Sequence, residues 1–329
     1  MADDRARATS LTGASFGPLT DPYRRDLLVH CYRFVGSATD AEDLVQETLA
    51  RAWRGRDGYR GEAGLRTWLR RIATRVCLDE LRRGRTRRTL PSDAEGASSA
   101  EPLWLEPLPD EMLGDAGADP AAMAELRESV SLAFLVALQR LPPRQRAVLI
   151  LRDVLALSAV EAADQLETSV SSVNSLLHRA RRAMRERGPT ATLPAPGDPT
   201  VAELLRRYVA AWEACDVDSL LAILRHDATL EMPPIPAAFV GHRAIRAFLA
   251  DEILDGSVGR WRGMSTAANG APAVALYGRG ADGHAFVGIQ LLTLDGDRLA
   301  RITAFMDPAL AERFSLPTHL APSIEGRRG

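Results

Sequence analysis

The chain has 329 residues, is 46% hydrophobic and 26% charged, and carries a formal net charge of −2. These values are ordinary for a soluble globular protein, and the length allows two or three domains that each bury a core. The 3 cysteines, Cys31, Cys77 and Cys215, are far apart, which argues against a disulfide framework or a zinc site. No apolar run approaches the ~20 residues that span a bilayer, which argues against a membrane partner.

The small net charge hides a strong segregation of charge along the chain. Nine arginines accompany two acidic residues between Leu65 and Arg88, whereas ten acidic residues accompany one arginine between Thr89 and Glu128. Basic folded pieces around an acidic connector favour a nucleic-acid partner. Because the first ten residues also lack the apolar stretch of a signal peptide, we expect a soluble cytoplasmic protein that uses no cofactor and no metal.

Two amphipathic helices are predicted near the N-terminus. The first covers Asp21–Gly36 and is closed by Gly36 as a C-terminal cap. The second is opened by a capping box of Thr39 and Glu42 and runs to about Arg54. Its predicted inward stripe consists of Ala41, Leu44, Val45, Thr48, Leu49 and Ala52.

The outer face of the second helix is acidic and polar. It carries Asp43, Gln46 and Glu47, followed by Arg51. Carboxylates are repelled by phosphates, so this face fits a basic protein surface rather than DNA. A solvated helix face without a partner is the alternative.

A third helix, Leu65–Arg83, is strongly basic. Its apolar positions are predicted to face a core, and its arginines to face outward, where they can hold the backbone of a DNA strand during strand separation. The apolar positions are Leu65, Trp68, Leu69, Ile72 and Val76. The outward arginines are Arg66, Arg70, Arg71, Arg75 and Arg82. The loop before this helix, Arg54–Gly64, is rich in glycine and arginine and holds Tyr59 and Arg60.

The acidic stretch that follows contains five prolines between Thr89 and Pro120 and is predicted to be a tether without a core of its own. A helix is then predicted over Met123–Arg140, with Leu126, Val130, Ala133, Phe134, Ala137 and Leu138 inside. The chain breaks at Leu141–Pro142 and restarts with Pro143 in a first helical turn.

Ser158–Arg187 is predicted to form a helix-turn-helix. Ser158 and Glu161 make a capping box for the first helix, and Ser169 caps the second. The apolar stripe of the second helix is Val170, Val173, Leu177, Ala180 and Met184. Its opposite face can contact base edges and phosphates in a major groove and carries Ser171, Ser172, Asn174, Ser175, His178, Arg179 and Arg182. An amphipathic helix with a solvated basic face is the alternative for this segment taken alone.

Three of these segments together resemble the extracytoplasmic-function (ECF) sigma factors. Asp40–Trp53 resembles the region 2 helix that docks on the β′ clamp helices of RNA polymerase. Leu65–Arg83 resembles the helix that melts the promoter and reads the −10 element. Leu141–Arg187 resembles region 4, which reads the −35 element beside the β flap. The resemblance covers roughly the first 188 residues. It implies that Asp43, Gln46 and Glu47 bind polymerase, and that Tyr59 lies where a flipped −10 base is captured.

The chain departs from the family pattern at three positions. Asn174 and Leu176 stand where relatives commonly carry a basic residue, and Arg75 stands in place of an asparagine. Fewer charges at the reading end predict weaker non-specific binding and a changed −35 preference, because asparagine pairs best with adenine and arginine with guanine.

A different domain is predicted after a proline-rich linker. Its predicted helices are Thr200–Leu224 and Arg243–Ala250. Its predicted strands are Ala273–Tyr277, Ala285–Leu294 and Leu299–Phe305, and a turn is predicted at Asp295–Asp297. This order, with the segment Ala238–Leu249, resembles the SnoaL-like polyketide cyclase and ketosteroid isomerase fold, in which a curved sheet encloses a pocket. The residues that the resemblance places in that pocket are Tyr208, Trp212, Phe239, Asn269, Gln290 and Phe305. His226, Asp227, Glu231, His242 and Asp307 could serve as acid or base, but the sequence brings no pair of them together.

We therefore predict a multidomain protein with two all-α domains and a C-terminal α+β SnoaL-like domain with a curved sheet. The predicted parts are a flexible tail (1–20), sigma region 2 (21–88), an acidic linker (89–122), sigma region 4 (123–188), a second linker (189–197), the SnoaL-like domain (198–316) and a C-terminal tail (317–329). The predicted function is that of a non-enzymatic sigma factor that binds core RNA polymerase and promoter DNA and is modulated by its C-terminal domain, through a ligand or by packing. Two alternatives stay open: a small-molecule isomerase or cyclase fused to DNA-binding helices, and a duplex-DNA-binding regulator that does not bind polymerase.

Overall fold

The computed structural model of the chain describes residues 11, 14–61, 63–84, 105–114, 119–187, 193–194, 197–254, 260–280 and 283–321. Most of the predicted acidic linker and parts of both predicted tails and of the second linker lie outside these ranges. The chain forms two compact units: a helical unit of Met1–Ser92 with Glu111–Pro189, and a C-terminal unit of Asp93–Asp110 with Thr190–Gly329. The helical unit and the α+β C-terminal unit confirm the predicted fold class. None of the helices within the described ranges is both long and apolar enough to cross a membrane.

The first half of the helical unit packs four helices. They are α1 (Phe16–Thr20), α2 (Arg24–Val35), α3 (Ala38–Arg54) and α4 (Leu65–Gly84). Gly36 adopts a left-handed conformation with φ of 73°, which confirms its prediction as the cap of α2. The predicted flexible tail is wrong at its end, because Phe16 of α1 is buried and its ring meets the ring of Trp53 edge-on at 5.2 Å.

The start of α3 differs from the prediction. Its N-terminal cap is Ser37, whose hydroxyl accepts a hydrogen bond from the backbone N–H of Asp40 at 3.1 Å, and not Thr39. The helix therefore begins with Ala38, and Thr39 lies inside its first turn. The predicted inward stripe of α3 is confirmed, since each of its members is buried: Ala41, Leu44, Val45, Thr48, Leu49 and Ala52.

The second half of the helical unit packs five helices, with a π-helical turn at Ile150–Val154. The helices are α5 (Pro120–Glu128), α6 (Leu132–Gln139), α7 (Pro143–Leu149), α8 (Ala159–Gln165) and α9 (Val170–Arg187). The single helix predicted over Met123–Arg140 is wrong, because Ser131 caps a new helix by accepting from the N–H of Phe134 at 3.3 Å. The predicted cap at Ser158 and the predicted place of Pro143 in the first turn of α7 are confirmed.

A buried polar joint links the two halves of the helical unit. Arg33 of α2 donates to the hydroxyl of Ser129 at 2.6 Å. Arg146 of α7 donates to the carbonyl oxygen of Phe34 and, at 2.8 Å, to the side chain of Gln139. Burial lowers the pKa of Arg33 and of Arg146 to about 10, so both stay charged at neutral pH, Arg33 as a donor to a hydroxyl group and Arg146 as a donor to carbonyl groups.

The C-terminal unit packs helices against one curved sheet. The helices are α10 (Pro199–Glu213), α11 (Val217–Ile223), α12 (Gly241–Phe248) and α13 (Leu310–Arg313). The strands are β1 (Leu224–Met232), β2 (Ile235–Val240), β3 (Trp261–Ala268), β4 (Ala271–Gly280), β5 (Gly283–Asp295), β6 (Arg298–Phe305) and β7 (His319–Leu320). The order is β2-β1-β6-β5-β4-β3, with β7 beside β5; β1 and β6 are parallel and the other pairs antiparallel.

The predicted secondary structure of this unit is right in part. Strands β4, β5 and β6 and the two-residue turn with Gly296 at φ of 62° are confirmed. The helix predicted over Thr200–Leu224 breaks at Cys215, where φ is 52°, into α10 and α11. Strands β1, β2 and β3 are missing from the prediction, and the start of the predicted C-terminal tail contributes β7.

The described end of the predicted tether, Leu105–Asp110, is an ordered part of the C-terminal unit. Leu105 and Leu108 are buried, with relative exposures of 5% and 0%. The N–H of Leu108 donates to the side-chain oxygen of Asn269, and the N–H of Asn269 donates back to the carbonyl of Leu108, both at 2.9 Å. Asp110 accepts from the N–H of Gly270 at 2.8 Å. The prediction of a tether is therefore wrong for this segment, which we call the docked connector.

Candidate functional site

The second helix of the predicted helix-turn-helix, α9, presents a polar outer face. Ser169 caps it, since its hydroxyl accepts from the N–H of Ser172 at 3.2 Å. Val173, Leu177 and Ala180 are buried as predicted, whereas Val170 is 39% exposed and does not belong to the apolar stripe. The predicted reading positions share one side of the helix, where Ser172 is half-buried and the others are exposed: Ser171, Asn174, Ser175, His178, Arg179 and Arg182.

The arginines toward the end of α9 differ in what they contact. Arg181 pairs with Asp153 at 2.7 Å, and Arg182 lies 3.4 Å from Glu186 of its own helix. Arg179 is exposed and makes no hydrogen bond or ion pair with any residue in the described ranges. Arg179 is thus the guanidinium on this face that a phosphate can approach without displacing a carboxylate.

Arg66 and Arg70 of α4 are held by one carboxylate, Asp26 of α2. Arg66 donates to Asp26 at 2.6 Å, and Arg70 donates to both of its oxygens, at 2.7 Å for Nε. Burial by itself raises the pKa of Asp26, but the hydrogen bonds and charges of the two arginines outweigh burial and lower the pKa to about 2. Asp26 therefore stays ionised and fixes both guanidinium groups.

Arg71 and Arg75 of α4 contact the helix-turn-helix. Arg71 pairs with Asp164 of α8 at 3.0 Å, and Arg75 pairs with Glu167 in the turn after α8. Both carboxylates are well exposed, at 67% and 70%. A carboxylate and a phosphate offer similar acceptors to a guanidinium, so Asp164 and Glu167 occupy positions that DNA phosphates could take.

The loop before α4 packs as well. The ring of Tyr59 lies 5.0 Å from that of Trp68, and its hydroxyl donates to the carbonyl of Ala63 at 2.9 Å. Tyr59 is half-buried and Arg60 is exposed. Trp68 is half-buried and supports Tyr59, which agrees with its prediction as a packing residue. At the far end of α4, Arg82 pairs with Asp79.

On the outer face of α3, one predicted polymerase-binding residue forms ion pairs, and the other two make none with any residue that the structure describes. Asp43 and Gln46 are exposed. Glu47 accepts from Arg51 at 2.7 Å and lies 3.7 Å from Arg54, and these contacts lower its pKa. Arg51 also donates to Asp79 of α4. Asp43 thus offers an accessible carboxylate, whereas Glu47 is partly neutralised.

The interior of the C-terminal unit brings together three of the six predicted pocket residues. Tyr208 donates to the side-chain oxygen of Gln290, and the rings of Tyr208 and Trp212 lie 6.4 Å apart. Trp212 meets Trp261 edge-on at 5.2 Å, and both indole N–H groups are buried without an acceptor in the part of the chain that the structure describes. Burial raises the pKa of Tyr208, so its hydroxyl stays protonated. Phe239 stacks on Phe248 at 4.2 Å, farther toward the sheet edge.

Two of the predicted pocket residues lie elsewhere. Asn269 is fully buried in the β3–β4 turn and binds the docked connector. Phe305 pairs with Ile289, one position from Gln290 along β5, and successive side chains of a strand point to opposite faces. Phe305 therefore lies on the sheet face opposite Gln290, and neither residue belongs to the interior cluster.

The residues considered as acid or base are exposed or half-exposed. His226 is 88% exposed and lies 3.9 Å from Asp227, which also pairs with Arg225, and Asp307 accepts from the N–H of Ala309. Glu231 lies 3.8 Å from Arg301, and His242 lies 3.4 Å from the carbonyl of Leu224. Within the described ranges, no aspartate or glutamate is buried. The interior thus presents amide, phenol and indole groups rather than a carboxylate base.

The sequence analysis missed Asp26, Arg146 and the pair of Leu108 with Asn269. Asp26 and Arg146 sit among many charged residues, and their burial is set by helix packing. The Asn269-Gly270 dipeptide signals a turn, and φ of 55° at Asn269 is the left-handed conformation that such a turn needs. No local pattern links this turn to a segment about 160 residues earlier.

Three family models match the chain in order: "Sigma-70 region 2" at residues 19–88, "Sigma-70, region 4" at residues 131–184 and "SnoaL-like domain" at residues 205–302. The first range begins slightly before the predicted region 2 (21–88), and the other two lie inside the predicted region 4 and the predicted SnoaL-like domain. The first match contains α2, α3 and α4, the second most of α9, and the third strands β1 to β5 with the first part of β6.

Known sigma factors are similar to most of the chain. The ECF RNA polymerase sigma factor SigG of Mycobacterium tuberculosis is 47% identical over 317 residues, which cover 93% of this chain and 85% of that protein. SigJ of the same organism is 32% identical over 224 residues, covering 68% of this chain and 66% of that protein. The crystal structure of SigJ matches with a TM-score of 0.60 at 25% identity, over 91% of this chain and 98% of that one.

Proposed function

Since the chain belongs to the ECF family of RNA polymerase sigma factors, we propose that it binds core RNA polymerase, directs it to specific promoters and initiates transcription. The observation that carries this proposal is the ordered pair of region 2 and region 4 matches, each with an accessible polar surface. Nucleotide addition belongs to the polymerase, so the chain itself needs no catalytic residue. Its place of action is that of the polymerase, the cytoplasm.

The surface for core polymerase is the outer face of α3. Asp43 and Gln46 are exposed there, and Glu47 becomes available when a basic partner competes with Arg51. The partner of matching charge is the basic surface of the β′ clamp helices. By analogy with the family, region 4, which contains α9, lies beside the β flap.

The promoter surfaces lie on α9, α4 and the loop before α4. Exposed Asn174 and Ser175 suit base edges of the −35 duplex, and Arg179 suits its backbone. On the −10 side, Arg60 is accessible, Asp26 positions Arg66 and Arg70, and Tyr59 needs to leave Trp68 to stack on a flipped base. Arg71 and Arg75 exchange Asp164 and Glu167 for phosphates when DNA binds.

The C-terminal domain modulates this activity by holding the connector between regions 2 and 4. The two hydrogen bonds between Leu108 and Asn269, the bond from Gly270 to Asp110 and the burial of Leu108 support this role. By family resemblance the connector threads through the polymerase, and it cannot do so while bound to the β3–β4 turn. Release of the connector is then a step on the way to active holoenzyme.

The rival function, a small-molecule isomerase or cyclase, finds less support. That chemistry needs a carboxylate base in an apolar pocket, whereas the buried polar groups described inside the C-terminal domain include Tyr208, Gln290, Trp212, Trp261 and His284 but no carboxylate. A regulator that binds only duplex DNA explains α9 but leaves the acidic face of α3 without a role.

Run-off transcription with core polymerase tests the proposal. The full chain is expected to initiate on members of an ECF-type promoter library, and the double variant Asp43→Arg, Gln46→Arg to lose output because it reverses the charge offered to the clamp helices. The matched control is Ala202→Arg with Glu203→Arg on α10, two exposed positions in the C-terminal domain at which the net charge changes by the same amount. Failure of the full chain on every promoter would refute the sigma function, and unchanged output from the double variant would refute the docking face alone.

A further inference from the structure

A concavity with a volume of about 480 Å³ lies on the C-terminal domain, at the meeting point of α11, α12 and the start of β6. Leu221 and Ala222 of α11 form its apolar part. Its other lining residues are all basic: His242, Arg243, Arg246 and Arg298. Leu221 is buried in the same core cluster as Tyr208, whereas the basic side chains that line the concavity lie outside that cluster.

Within the described parts of the chain, the three guanidinium groups at this concavity have one carboxylate partner between them. Arg246 pairs with Asp218, which is 81% exposed. Arg298 donates to the backbone carbonyl of Leu224 at 3.2 Å, a contact that orients the side chain without neutralising its charge. Arg243 is exposed and, among the described residues, has no hydrogen-bond or ion-pair partner. The concavity therefore carries an excess of positive charge.

The chemistry of these groups indicates the class of ligand. Guanidinium groups bind phosphate oxygens through paired N–H donors, and three of them arriving from a helix and a strand can surround one anionic group. The volume lies within the range of small-molecule sites, roughly 300–1,000 Å³, and exposed Ala222 provides contact for an apolar or planar part. A nucleic-acid backbone is better served by an extended basic stripe than by a concavity of this size.

We propose that this concavity, the arginine pocket, binds a small phosphorylated molecule whose anionic group is held by Arg243, Arg246 and Arg298. Occupation brings a negative charge to the ends of α11 and α12 and to the first residue of β6. The arginine pocket is thus a second binding site on the C-terminal domain, separate from the site that holds the docked connector. The proposal does not depend on whether the chain acts as a sigma factor.

Calorimetric titration of the full chain with inorganic pyrophosphate at low salt tests the proposal. One equivalent is expected to bind, and Arg243→Gln is expected to weaken binding about 10-fold or more, because a charge-assisted hydrogen bond is lost. Arg243 has no described partner to lose, so this variant leaves folding intact. The matched control, Arg206→Gln, removes the same charge from α10, where Arg206 pairs with Glu203, and is expected to bind like the original chain.

Several outcomes overturn the proposal. Absence of binding to the original chain, or equal weakening by Arg206→Gln and Arg243→Gln, shows that the cluster is a solvated face that responds only to net charge. A second arm uses a 20-base-pair DNA duplex of arbitrary sequence. If Arg243→Gln weakens duplex binding while pyrophosphate does not bind, the surface belongs to nucleic acid and the small-ligand site is refuted.

Discussion

Asp26 illustrates how single residues organise the helical unit. It lies between Arg66 and Arg70, is 18% exposed, and keeps its negative charge in a site where burial alone favours the neutral form. Arg146 has the complementary role, as a buried cation that satisfies the carbonyl of Phe34. Removal of either group leaves buried charges or carbonyls without partners, which costs more than the pair contributes when intact.

We expect Asp26→Asn to lower the free energy of unfolding of the helical unit by about 2 kcal/mol at pH 7. The reason is that folding lowers the pKa of Asp26 from 3.8 to about 2, so its ionised form stabilises the folded state. Because the folded-state pKa is depressed, this contribution is fully present above about pH 4 and is lost as the pH falls toward 2. Urea denaturation, followed by hydrogen exchange in α2 and α4 peptides, measures it. Asp21→Asn is the control, since Asp21 pairs with Arg24 at 59% exposure and should have little effect; an equal loss in both variants would contradict the role of Asp26.

The element scale is dominated by α4 and its contact with the helix-turn-helix. The same arginines that the sequence assigns to DNA are bound by carboxylates: Arg71 by Asp164 and Arg75 by Glu167. Pairs this exposed contribute little stability, from about 0.2 to 1 kcal/mol each. They are therefore easily exchanged for phosphates, and their effect is on competition with DNA rather than on folding.

The double variant Asp164→Asn, Glu167→Gln should bind a forked promoter DNA about two- to five-fold more tightly, because Arg71 and Arg75 no longer exchange a carboxylate for a phosphate. Fluorescence anisotropy over a range of salt concentrations measures the change. The control is Asp21→Asn with Glu203→Gln, which removes the same two negative charges at other exposed pairs. A gain of equal size in the control would show that net charge alone is responsible.

Two positions on α9 separate sequence reading from backbone binding. Asn174→Ala should change the preferred −35 sequence, with a loss of about 1–3 kcal/mol at a preferred adenine, and leave the salt dependence nearly unchanged. Arg179→Ala should weaken binding evenly across sequences and reduce the salt slope by about 0.9. Binding to a randomised −35 library at several salt concentrations tests both. A purely electrostatic effect of Asn174→Ala would contradict base reading by this face.

At the scale of the whole molecule, the chain between the two helical halves is captured by the C-terminal domain. The docked connector contributes two buried apolar side chains, Leu105 and Leu108, and forms three hydrogen bonds with the β3–β4 turn. Leu108 is fully buried, so this contact resembles core packing more than the passage of a flexible tether. A domain that holds the connector can alter promoter output without touching DNA or polymerase.

Leu108→Ala should release the connector and raise run-off transcription, because loss of a buried leucine costs about 2–5 kcal/mol and shifts a bound segment by more than tenfold. Hydrogen exchange of residues 105–110 reports release directly. Leu294→Ala is the matched control: Leu294 is 7% exposed in the core of the same domain and does not touch the connector's hydrogen-bond partners. If both variants change output equally, general destabilisation explains the effect and the connector has no regulatory role.

The sequence by itself determined the helical periodicities, the caps at Ser158 and Ser169, the inward stripe of α3, the order of the domains and the family, because these follow from local spacing and from motifs read along the chain. Only the tertiary structure decided which arginines of α4 are accessible, since Asp26, Asp164 and Glu167 approach them from distant helices. The tertiary structure also places Asn269 and Phe305 outside the interior cluster around Tyr208. It shows that Leu105–Asp110, predicted as a tether, is part of a sheet edge. Ion pairing, strand facing and connector docking depend on contacts between residues far apart in sequence, and no local pattern carries that information.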